Sequence, residues 1–356
     1  MEKIRFGITG SGFMARTHAE AIRWLDSSAS LVAVWGGSRA PALAERYGID
    51  CEQTLESLMR RPDIDAIVIT TPHHLHIKEA LLALESGKSI MVEKPMATTV
   101  EDCDRMLEAA ARRKLVISVG YNLRFRDLPL KAREMITANA IGRIVNMHVT
   151  MFMDIDLFDR QDFGGVNKMK WIKLPESVGF VIDGLPHAVD LMRWLTRSEV
   201  KTVAGFSRTF IPDRQVEDTT VGILEFTNGA VCTVNTSCAV PGPYPGHYSR
   251  YSFIGTDGLL DMDPFGELHI SNRSDGWRLV ATQPKVGWES AETAFGDVRM
   301  KAYRNQMQSF IDGMHGKTME AGSGEDGRAG LAACLSMLTS TRDRCLVELG
   351  PGAQRR

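Results

Sequence analysis

The chain has 356 residues, of which 44% are hydrophobic and 24% are charged, and its formal net charge is −2. This balance is typical of a globular protein, and the absence of long runs of like charge argues against a nucleic-acid-binding or membrane-surface protein. Because one core usually stops growing near ~250–300 residues, the length predicts two domains.

The first predicted element is an apolar strand, Ile4–Thr9, which no signal-peptide-like segment precedes. No apolar run reaches the roughly 18–20 residues that span a bilayer. The six cysteines are scattered and form no CxxC pair, which favours reduced thiols. We therefore expect a cytoplasmic protein that binds neither membrane nor nucleic acid.

A glycine-rich turn follows this strand and opens a predicted helix. Its sequence "GSGFMA" places Gly10, Gly12 and Ala15 in a G-x-G-x-x-A pattern, with Phe13 and Met14 at the helix start. In this pattern the first glycine permits the turn, the second admits a pyrophosphate, and the small third residue lets helix and strand pack closely. The pattern predicts a dinucleotide site with phosphates at the helix N-terminus; the alternative is merely a tight strand–helix turn.

The second predicted strand indicates which dinucleotide is bound. It ends in "AVWGGSRA", without the acidic residue that usually binds the ribose hydroxyls of NAD. Ser38 and Arg39 stand there instead, and an arginine pairs well with a 2′-phosphate. We predict that NADP is preferred and that NAD remains possible. The alternative is that Arg39 is only a solvated residue at a helix start.

Two further predicted strands, "IDAIVITTP" and "SIMV", carry polar residues at their carboxyl ends, where ligands bind in open parallel sheets. The residues that we expect to contact the cofactor there are Thr71, Pro72, His73, His76, Glu93 and Lys94. Pro95 restricts the backbone of Lys94 to an extended form and thereby aims its side chain. An ammonium group at this place can hydrogen-bond a substrate hydroxyl and stabilise its developing negative charge.

Three histidines in the same stretch, His73, His74 and His76, raise the question of a metal. Their spacing matches no standard zinc pattern, so we predict that the protein binds no metal.

The strand–helix alternation continues to a fifth strand, "LVISVGY", and then stops near residues 121–128. Alternation of this kind predicts a parallel sheet with crossover helices. After it we predict a helix, a long strand, another helix and a run of strands that includes a hairpin closed by Asn228-Gly229. The predicted fold is therefore an α/β domain over 1–123, followed by an α+β domain with a mostly antiparallel sheet over 124–356.

Four side chains after the fifth strand are candidates for substrate binding. Asn122 and Arg124 follow that strand directly and line a pocket in one interpretation; in the other they are domain-linking contacts. Asp183 and His187 stand four apart in "DGLPHAVD", so both face one side if a helix has begun. Histidine titrates near neutrality and can accept a hydroxyl proton. The alternative makes Asp183 an N-cap and His187 a core residue.

Two features of the second domain leave the interpretation open. A Gly/Pro-rich loop from Tyr244 to Arg250 contacts either the substrate or a neighbouring subunit. The strand "TTVGILEFT" carries Val221, Ile223 and Leu224–Phe226, and an exposed apolar sheet face would be an association surface.

At the level of motifs, the chain resembles the Gfo/Idh/MocA oxidoreductases, which include glucose–fructose oxidoreductase and inositol dehydrogenase. The resemblance extends over nearly the whole chain and rests on "GSGFMA", "TPHHLH", "EKPMA", "GYNLRF", "DGLPHAVD" and "FIGTDGLLDMD". The sequence departs from many relatives in having Pro72-His73 where they have "TPN". It also keeps only Gly179 of a glycine pair that many relatives carry before the aspartate.

This resemblance implies a Rossmann domain, an open-faced antiparallel sheet, and an NAD(P)-dependent hydride transfer at a hydroxyl or carbonyl of a sugar, inositol or related polyol. It implies a catalytic set of Lys94, Asp183 and His187, in which His187 moves the proton, Lys94 polarises the reacting oxygen, and Asp183 holds the substrate or His187. The open sheet implies a homodimer or homotetramer. Two alternatives remain, a non-catalytic NADP-binding regulator and a dihydrodiol-type dehydrogenase.

Overall fold

The computed structural model describes residues 2–154, 175, 178–240, 247–274, 276–284 and 294–349. Tyr244, in the loop that the sequence analysis singled out, lies outside these residues. The described residues form two compact units, one of 2–122 with 294–328 and one of 123–284 and 329–349. Within the described ranges, no helix combines the length and apolar character needed to cross a bilayer.

The first unit contains a parallel sheet with helices between its strands. Its strands are β1 (Ile4–Thr9), β2 (Ala29–Trp35), β3 (Asp50–Cys51), β4 (Ala66–Ile69), β5 (Ser89–Val92) and β6 (Ile117–Val119). Its helices are α1 (Phe13–Trp24), α2 (Ala40–Tyr47), α3 (Leu55–Arg60), α4 (His76–Glu85) and α5 (Val100–Arg113), with a 3₁₀ turn at His73–Leu75. The predicted strand–helix alternation is confirmed.

The sheet order of the first unit is β6-β5-β4-β1-β2-β3, with all these neighbours parallel. The residues of β4 and β5 are all buried, as expected for strands with helices on both faces. Because β1 lies between β2 and β4, the strand order reverses at β1. Ligands bind in such sheets at the carboxyl ends of the strands beside the reversal.

Local sequence signals explain where the helices of this unit begin and end. Thr99 caps α5 by accepting the N–H of Asp102 at 3.1 Å, which satisfies one of the four N–H groups that lack an intrahelical partner. Gly48 ends α2 in the left-handed conformation with φ +64°, which glycine adopts without steric cost. Both helix ends are thus determined by residues next to the helix in the chain.

A late helix also belongs to the first unit, which the predicted division at residues 123 and 124 did not anticipate. Helix α9 (Asp297–Met314) places Met300, Tyr303, Met307 and Phe310 at helical spacing in the core that includes β1 and α1. Strand β15 (Gly322–Ser323) then pairs antiparallel with β6. The predicted ranges 1–123 and 124–356 therefore differ from the observed units, because residues 294–328 bury their apolar side chains in the first core.

The second unit is built around a large, mostly antiparallel sheet, as predicted. Its strands are β7 (Ile144–Met153), β8 (Val200–Arg208), β9 (Thr219–Phe226), β10 (Val231–Ser237), β11 (His247–Gly255), β12 (Gly258–Met262), β13 (Glu267–Asn272), β14 (Gly276–Thr282) and β16 (Val347–Glu348). The helices are α6 (Asp127–Thr137), α7 (Gly179–Gly184), α8 (Pro186–Thr196) and α10 (Gly324–Asp343), of which 324–328 belong to the first unit. A 3₁₀ turn at Asn122–Phe125 begins at the last residue of the 2–122 stretch.

The order of this sheet is β14-β13-β12-β11-β7-β10-β9-β8-β16, and β7–β10 is a parallel pair. The predicted hairpin is confirmed, since β9 and β10 pair antiparallel and Gly229 turns the chain with φ +83°. One face carries exposed apolar residues on neighbouring strands, Phe206, Val221 and Ile223. Leu224 and Phe226 are buried on the opposite face, because successive strand residues alternate between faces.

A buried carboxyl group links two strand ends of the first unit. The hydroxyls of Thr9, which ends β1, and Thr71, which follows β4, donate to the same oxygen of Glu79 at 2.5 and 2.9 Å. Glu79 is buried at 2% exposure. Burial raises the pKa of Glu79 to about 7, although the two hydroxyl donors oppose the rise.

The burial of the Glu79 carboxyl group makes the stability of the first unit depend on pH. A native pKa raised above the unfolded value means that stability is full below about pH 4.5 and falls as pH rises towards 7. We expect the free energy of unfolding of the wild type, relative to Glu79→Gln, to fall by about 3 kcal/mol between pH 4.5 and 8. Urea unfolding of both proteins across this range measures the difference.

The control is Glu108→Gln, which alters an exposed glutamate on α5. Its free energy of unfolding should run parallel to that of the wild type over the same pH range. If the Glu79→Gln curve also ran parallel to the wild type, Glu79 would titrate normally in the folded protein and the assignment would be wrong.

Candidate active site

The turn between β1 and α1 forms a cradle that suits an anion. Gly10 has φ +89°, and a side chain there would collide with Thr70, whose hydroxyl lies 2.8 Å from the ideal Cβ position. Around Gly12 the space is open, because the nearest atom to an added Cβ is a guanidinium nitrogen of Arg39 at 3.8 Å. Ala15 is fully buried and lets α1 pack closely.

The start of α1 has no competing cap. Gly12 occupies the N-cap without a side-chain hydrogen bond, and the first turn contains no acidic residue. The first N–H groups of a helix have no intrahelical acceptor, and the helix dipole favours negative charge there. A pyrophosphate therefore fits this cradle by charge and by space.

Arg39 reaches the same turn from the end of β2. It stands at the N-cap of α2, is exposed, and donates from Nε to the carbonyl oxygen of Ser11 at 3.2 Å. Ser38 beside it is also exposed. The guanidinium thus lies beside the anion cradle, at the strand end where a ribose acid would otherwise stand.

His76 joins the two strand ends on the other side of the cradle. Its ring is fully buried, with Nδ1 at 2.9 Å from the carbonyl oxygen of Pro95 and Nε2 at 2.8 Å from that of Thr71. Burial lowers the pKa of His76, while the two carbonyl contacts act in the opposite direction. Both ring nitrogens lie against main-chain carbonyl oxygens, so this buried ring packs between the turns after β4 and β5, and in its neutral form its one N–H donates to one of the two carbonyls.

Glu93 anchors the turn that carries Lys94. One carboxylate oxygen of Glu93 lies 2.8 Å from Nε2 of the buried His18 on α1, and the other accepts the N–H of Lys94 at 3.3 Å. Gly120 makes room for this carboxylate, which lies 2.7 Å from where a Cβ would be. The peptide bond from Lys94 to Pro95 is cis, which the sequence analysis did not predict.

A buried arginine side chain packs against the start of α1. Arg299 on α9 is 1% exposed, donates to Thr17 at 3.0 Å and lies over the rings of Phe13 and Tyr303 at 4.5 and 4.6 Å. Tyr303 in turn accepts the side-chain N–H of Asn122 at 3.1 Å. Phe13 is half-buried in this arrangement, so one part of its ring remains accessible beside the cradle.

The remaining predicted contacts lie at the same edge of the sheet. Met14, Thr71 and Pro72 are half-buried, and His73 is buried at 5% exposure, with its ring centre 5.8 Å from that of His76. Among the described residues, no group of three or more histidine, cysteine, aspartate or glutamate side chains is arranged to hold a metal.

Asp183 and His187 belong to two consecutive helices of the second unit. Asp183 lies in the last turn of α7, and His187 in the first turn of α8, which begins at Pro186. The N-cap of α8 is Leu185 and makes no side-chain hydrogen bond. Asp183 is therefore not the N-cap of this helix, and both side chains are half-buried.

The helix that carries His187 is held by a buried ion pair. Nε and Nη2 of Arg124 donate to the two carboxylate oxygens of Asp190 at 2.8 and 2.5 Å. The two side chains are 7% and 1% exposed. This fork-to-carboxylate geometry is strong and directional. Arg124 therefore fixes α8 three residues beyond His187 through its Nε and Nη2 atoms.

Four buried residues that hold other side chains in place are not among the site residues predicted from the sequence. Each has a side-chain hydrogen-bond partner 66 to 282 positions away in the chain; the four residues are His18, Glu79, Asp190 and Arg299. No local pattern marks such pairs. A buried ionisable residue on an otherwise apolar helix face is the one signal that would have pointed to them, as with His18 on α1.

Comparison with known families extends over most of this architecture. Residues 4–121 match the model "Oxidoreductase family, NAD-binding Rossmann fold" of the Gfo/Idh/MocA group. Residues 130–261 match the model of the GFO/IDH/MocA C-terminal domain. The first match contains the Gly10–Gly12 turn and Lys94, and the second contains Asp183 and His187.

Individual relatives are similar at low identity over long stretches. Levoglucosan dehydrogenase of Pseudarthrobacter phenanthrenivorans is 27% identical over 324 residues, 80% of this chain and 81% of the relative. Inositol 2-dehydrogenase 2 of Saccharopolyspora erythraea is 26% identical, over 98% and 96% of the two chains. A structure of levoglucosan dehydrogenase with NADH and L-sorbose shares the fold with a TM-score of 0.83 at 24% identity, over 98% of this chain and 100% of that one.

Both family models match in the expected order, one within the 2–122 stretch of the first unit and the other within the second unit. The anion cradle at the Gly10–Gly12 turn fits the pyrophosphate of the nicotinamide dinucleotide that the first model implies. The chain therefore belongs to the Gfo/Idh/MocA oxidoreductase family, with a Rossmann unit that binds a nicotinamide cofactor.

Proposed function

We propose that this protein is a dehydrogenase or reductase that acts on a CH–OH or carbonyl group of a sugar, an inositol or a related polyol. The observation that carries the proposal is the place of Lys94, at the carboxyl end of β5 on the same sheet edge as the anion cradle. Names of relatives, a levoglucosan dehydrogenase and an inositol 2-dehydrogenase, support this substrate class.

The bound nicotinamide supplies the hydride acceptor for oxidation and the hydride donor for reduction. In the proposed reaction, the ammonium group of Lys94 donates a hydrogen bond to the reacting oxygen and stabilises its negative charge. His187 accepts the hydroxyl proton in the oxidation direction and returns it in the reduction direction. Asp183 holds the substrate or orients His187.

Two other functions fit the same fold. A non-catalytic NADP-binding regulator needs no proton-transfer residues, so the presence of Lys94, Asp183 and His187 together favours the enzyme. A dihydrodiol-type dehydrogenase differs in its substrate and keeps the same hydride chemistry. A panel of polyols, ketoses and dihydrodiols with NADP and NAD, read at the nicotinamide absorbance band, distinguishes them. No absorbance change with any compound would favour the regulator.

The catalytic roles predict the effects of three substitutions. We expect His187→Asn to lower kcat by about 10²–10⁴, the usual contribution of a positioned acid–base group. Lys94→Ala should cost on the order of 10²–10³ because a charge aimed at the reacting oxygen is lost. Lys94→Arg should not restore activity, since a planar guanidinium does not replace a compact ammonium. Steady-state kinetics and cofactor titration measure these effects, and the Kd for the cofactor should barely change in His187→Asn.

A matched control is Lys88→Ala, at the opposite end of β5. Lys88 is buried and donates to the carbonyl oxygens of Arg61 and Ile64 at 2.7 and 2.8 Å. This substitution should lower Tm and leave turnover per folded molecule intact. If folded His187→Asn kept a near-normal kcat, the catalytic assignment would be wrong.

We further propose that NADP is preferred over NAD. Support comes from the exposed guanidinium of Arg39 beside the anion cradle and from the absence of an acidic residue in the described β2 end, Trp35 to Arg39. A solved levoglucosan dehydrogenase contains NADH, so binding of NAD to this protein is the alternative that the test must measure.

For the cofactor preference, Arg39→Ala provides a direct test. We expect it to weaken NADP binding by ~10–100-fold, the effect of losing one charge-assisted phosphate contact of ~1.5–3 kcal/mol. Binding of NAD should change by less than about threefold because NAD lacks the 2′-phosphate. Ratios of kcat/KM for the two cofactors measure this, and a wild-type preference for NAD would contradict the proposal.

A homodimer or homotetramer is also proposed, formed through the exposed sheet face of Phe206, Val221 and Ile223. Their exposures are 71%, 50% and 54%, and Phe206 and Val221 are directly paired across strands β8 and β9. A cluster of exposed apolar side chains on one flat sheet is typical of an association surface.

Light scattering after size-exclusion chromatography tests the assembly. At micromolar concentration the wild type should elute as a dimer or tetramer, and Ile223→Glu should shift it towards the monomer because a charge is buried at the interface. Trp24→Ser, which alters an equally exposed residue of the first unit, serves as the control. A monomeric wild type would refute the proposal.

A further inference from the structure

Helix α7, which carries Asp183, is held at its first turn by a single residue, Glu217. A carboxylate oxygen of Glu217 accepts the N–H of Val181 at 2.7 Å. The main-chain carbonyl oxygen of Glu217 accepts the N–H of Phe180 at 3.2 Å. Two of the N–H groups that a helix start leaves without an intrahelical acceptor are thereby satisfied. Glu217 acts as a cap that comes from a distant part of the chain.

Gly179 leaves the room that this cap requires. Its φ is +82°, and a Cβ at this position would lie only 1.7 Å from a carboxylate oxygen of Glu217. Any side chain would therefore displace the carboxylate in addition to straining the backbone. The one glycine that remains before Asp183 thus lies in direct contact with the cap.

The loop that carries Glu217 is itself rigidly held. The neighbouring Asp218 is fully buried, and one of its oxygens accepts the N–H groups of Phe210 and Ile211, both at 2.7 Å. Its main-chain carbonyl also accepts the N–H of Cys238 at 2.8 Å. The cap is consequently anchored to the sheet of the second unit through the start of β9.

We propose that Glu217 is a positioning residue that sets the place of Asp183 through helix α7. The helix has only six residues, and Asp183 follows the capped Val181 by two positions. A displacement of the helix start is therefore transmitted to the Asp183 carboxylate within a single turn. The inference rests on the proposed function in that it takes Asp183 to contact the substrate or to orient His187.

The charge state of Glu217 indicates which variant preserves the cap. Burial raises the pKa of Glu217 to about 7, while the N–H of Val181 and the nearby Arg214 lower it and Asp218 raises it further. The contact to Val181 needs an acceptor oxygen, which the carboxyl group supplies in both of its protonation states. A glutamine at this position supplies such an oxygen in the same place.

Four proteins test the inference: wild type, Glu217→Ala, Glu217→Gln and Gly179→Ala. With the best substrate from the polyol panel, Glu217→Ala should lower kcat/KM by about 10–100-fold, since displacing a reacting group by ~1 Å costs about this much. Glu217→Gln should stay within about threefold of the wild type because the acceptor remains. Gly179→Ala should resemble Glu217→Ala.

Gly229→Ala is the matched control for the backbone. Gly229 has φ +83°, almost that of Gly179, but a Cβ there would meet no atom within 4 Å. It suffers the same backbone strain without touching a carboxylate, so kcat/KM should stay within about twofold of the wild type. Amide hydrogen exchange over 179–185 should accelerate in Glu217→Ala and remain unchanged in Gly229→Ala.

A double substitution separates positioning from a general structural effect. In an Asp183→Asn background, Glu217→Ala should lower kcat/KM by less than about threefold more, because residues that act as one unit are not additive. Full additivity of the two losses would overturn the inference and leave the proposed function standing. Full activity in Asp183→Asn would overturn the inference and the proposed role of Asp183, and would leave the dehydrogenase activity itself standing. Wild-type activity in Glu217→Ala with accelerated exchange would overturn the inference alone.

Discussion

A single buried imidazole joins the two turns of the Rossmann unit that follow β4 and β5. His76 lies between the carbonyl oxygens of Thr71 and Pro95, at 2.8 and 2.9 Å, and is completely buried. One carbonyl belongs to the turn after β4 and the other to the turn after β5. The ring, which carries one N–H in its neutral form, therefore joins the turn after β4 to the turn that carries Lys94.

Other buried polar side chains connect the ends of neighbouring strands in a similar way. Glu79 receives hydroxyls from the ends of β1 and β4, and Glu93 links His18 of α1 to the amide of Lys94. These groups lie in a dry environment, where each contact is stronger and each loss is costlier than in water. The turns that we propose to bind cofactor and substrate are therefore held in place by a group of buried polar side chains.

The second unit uses carboxylates in the same way on its two short helices. Asp190 binds Arg124 and fixes the helix of His187, while Glu217 caps the helix of Asp183. The roles that we propose for Asp183 and His187 require these side chains to be held to within a fraction of an ångström. The six-residue helix α7 has few internal hydrogen bonds to provide this alone. Their positions are set by residues from elsewhere in the chain.

Features formed by residues that are close together in the chain could be predicted from the sequence. The Gly10–Gly12 turn, the strand–helix alternation, the hairpin at Gly229 and the motif around Lys94 are all readable because each is made by neighbours in the chain. Other features became visible only in the folded chain. Helix α9 joins the first unit, His76 lies between two carbonyl oxygens, and Glu217 meets Val181 across 36 positions. Such contacts depend on which buried polar group lacks a partner after folding, and no local pattern encodes that.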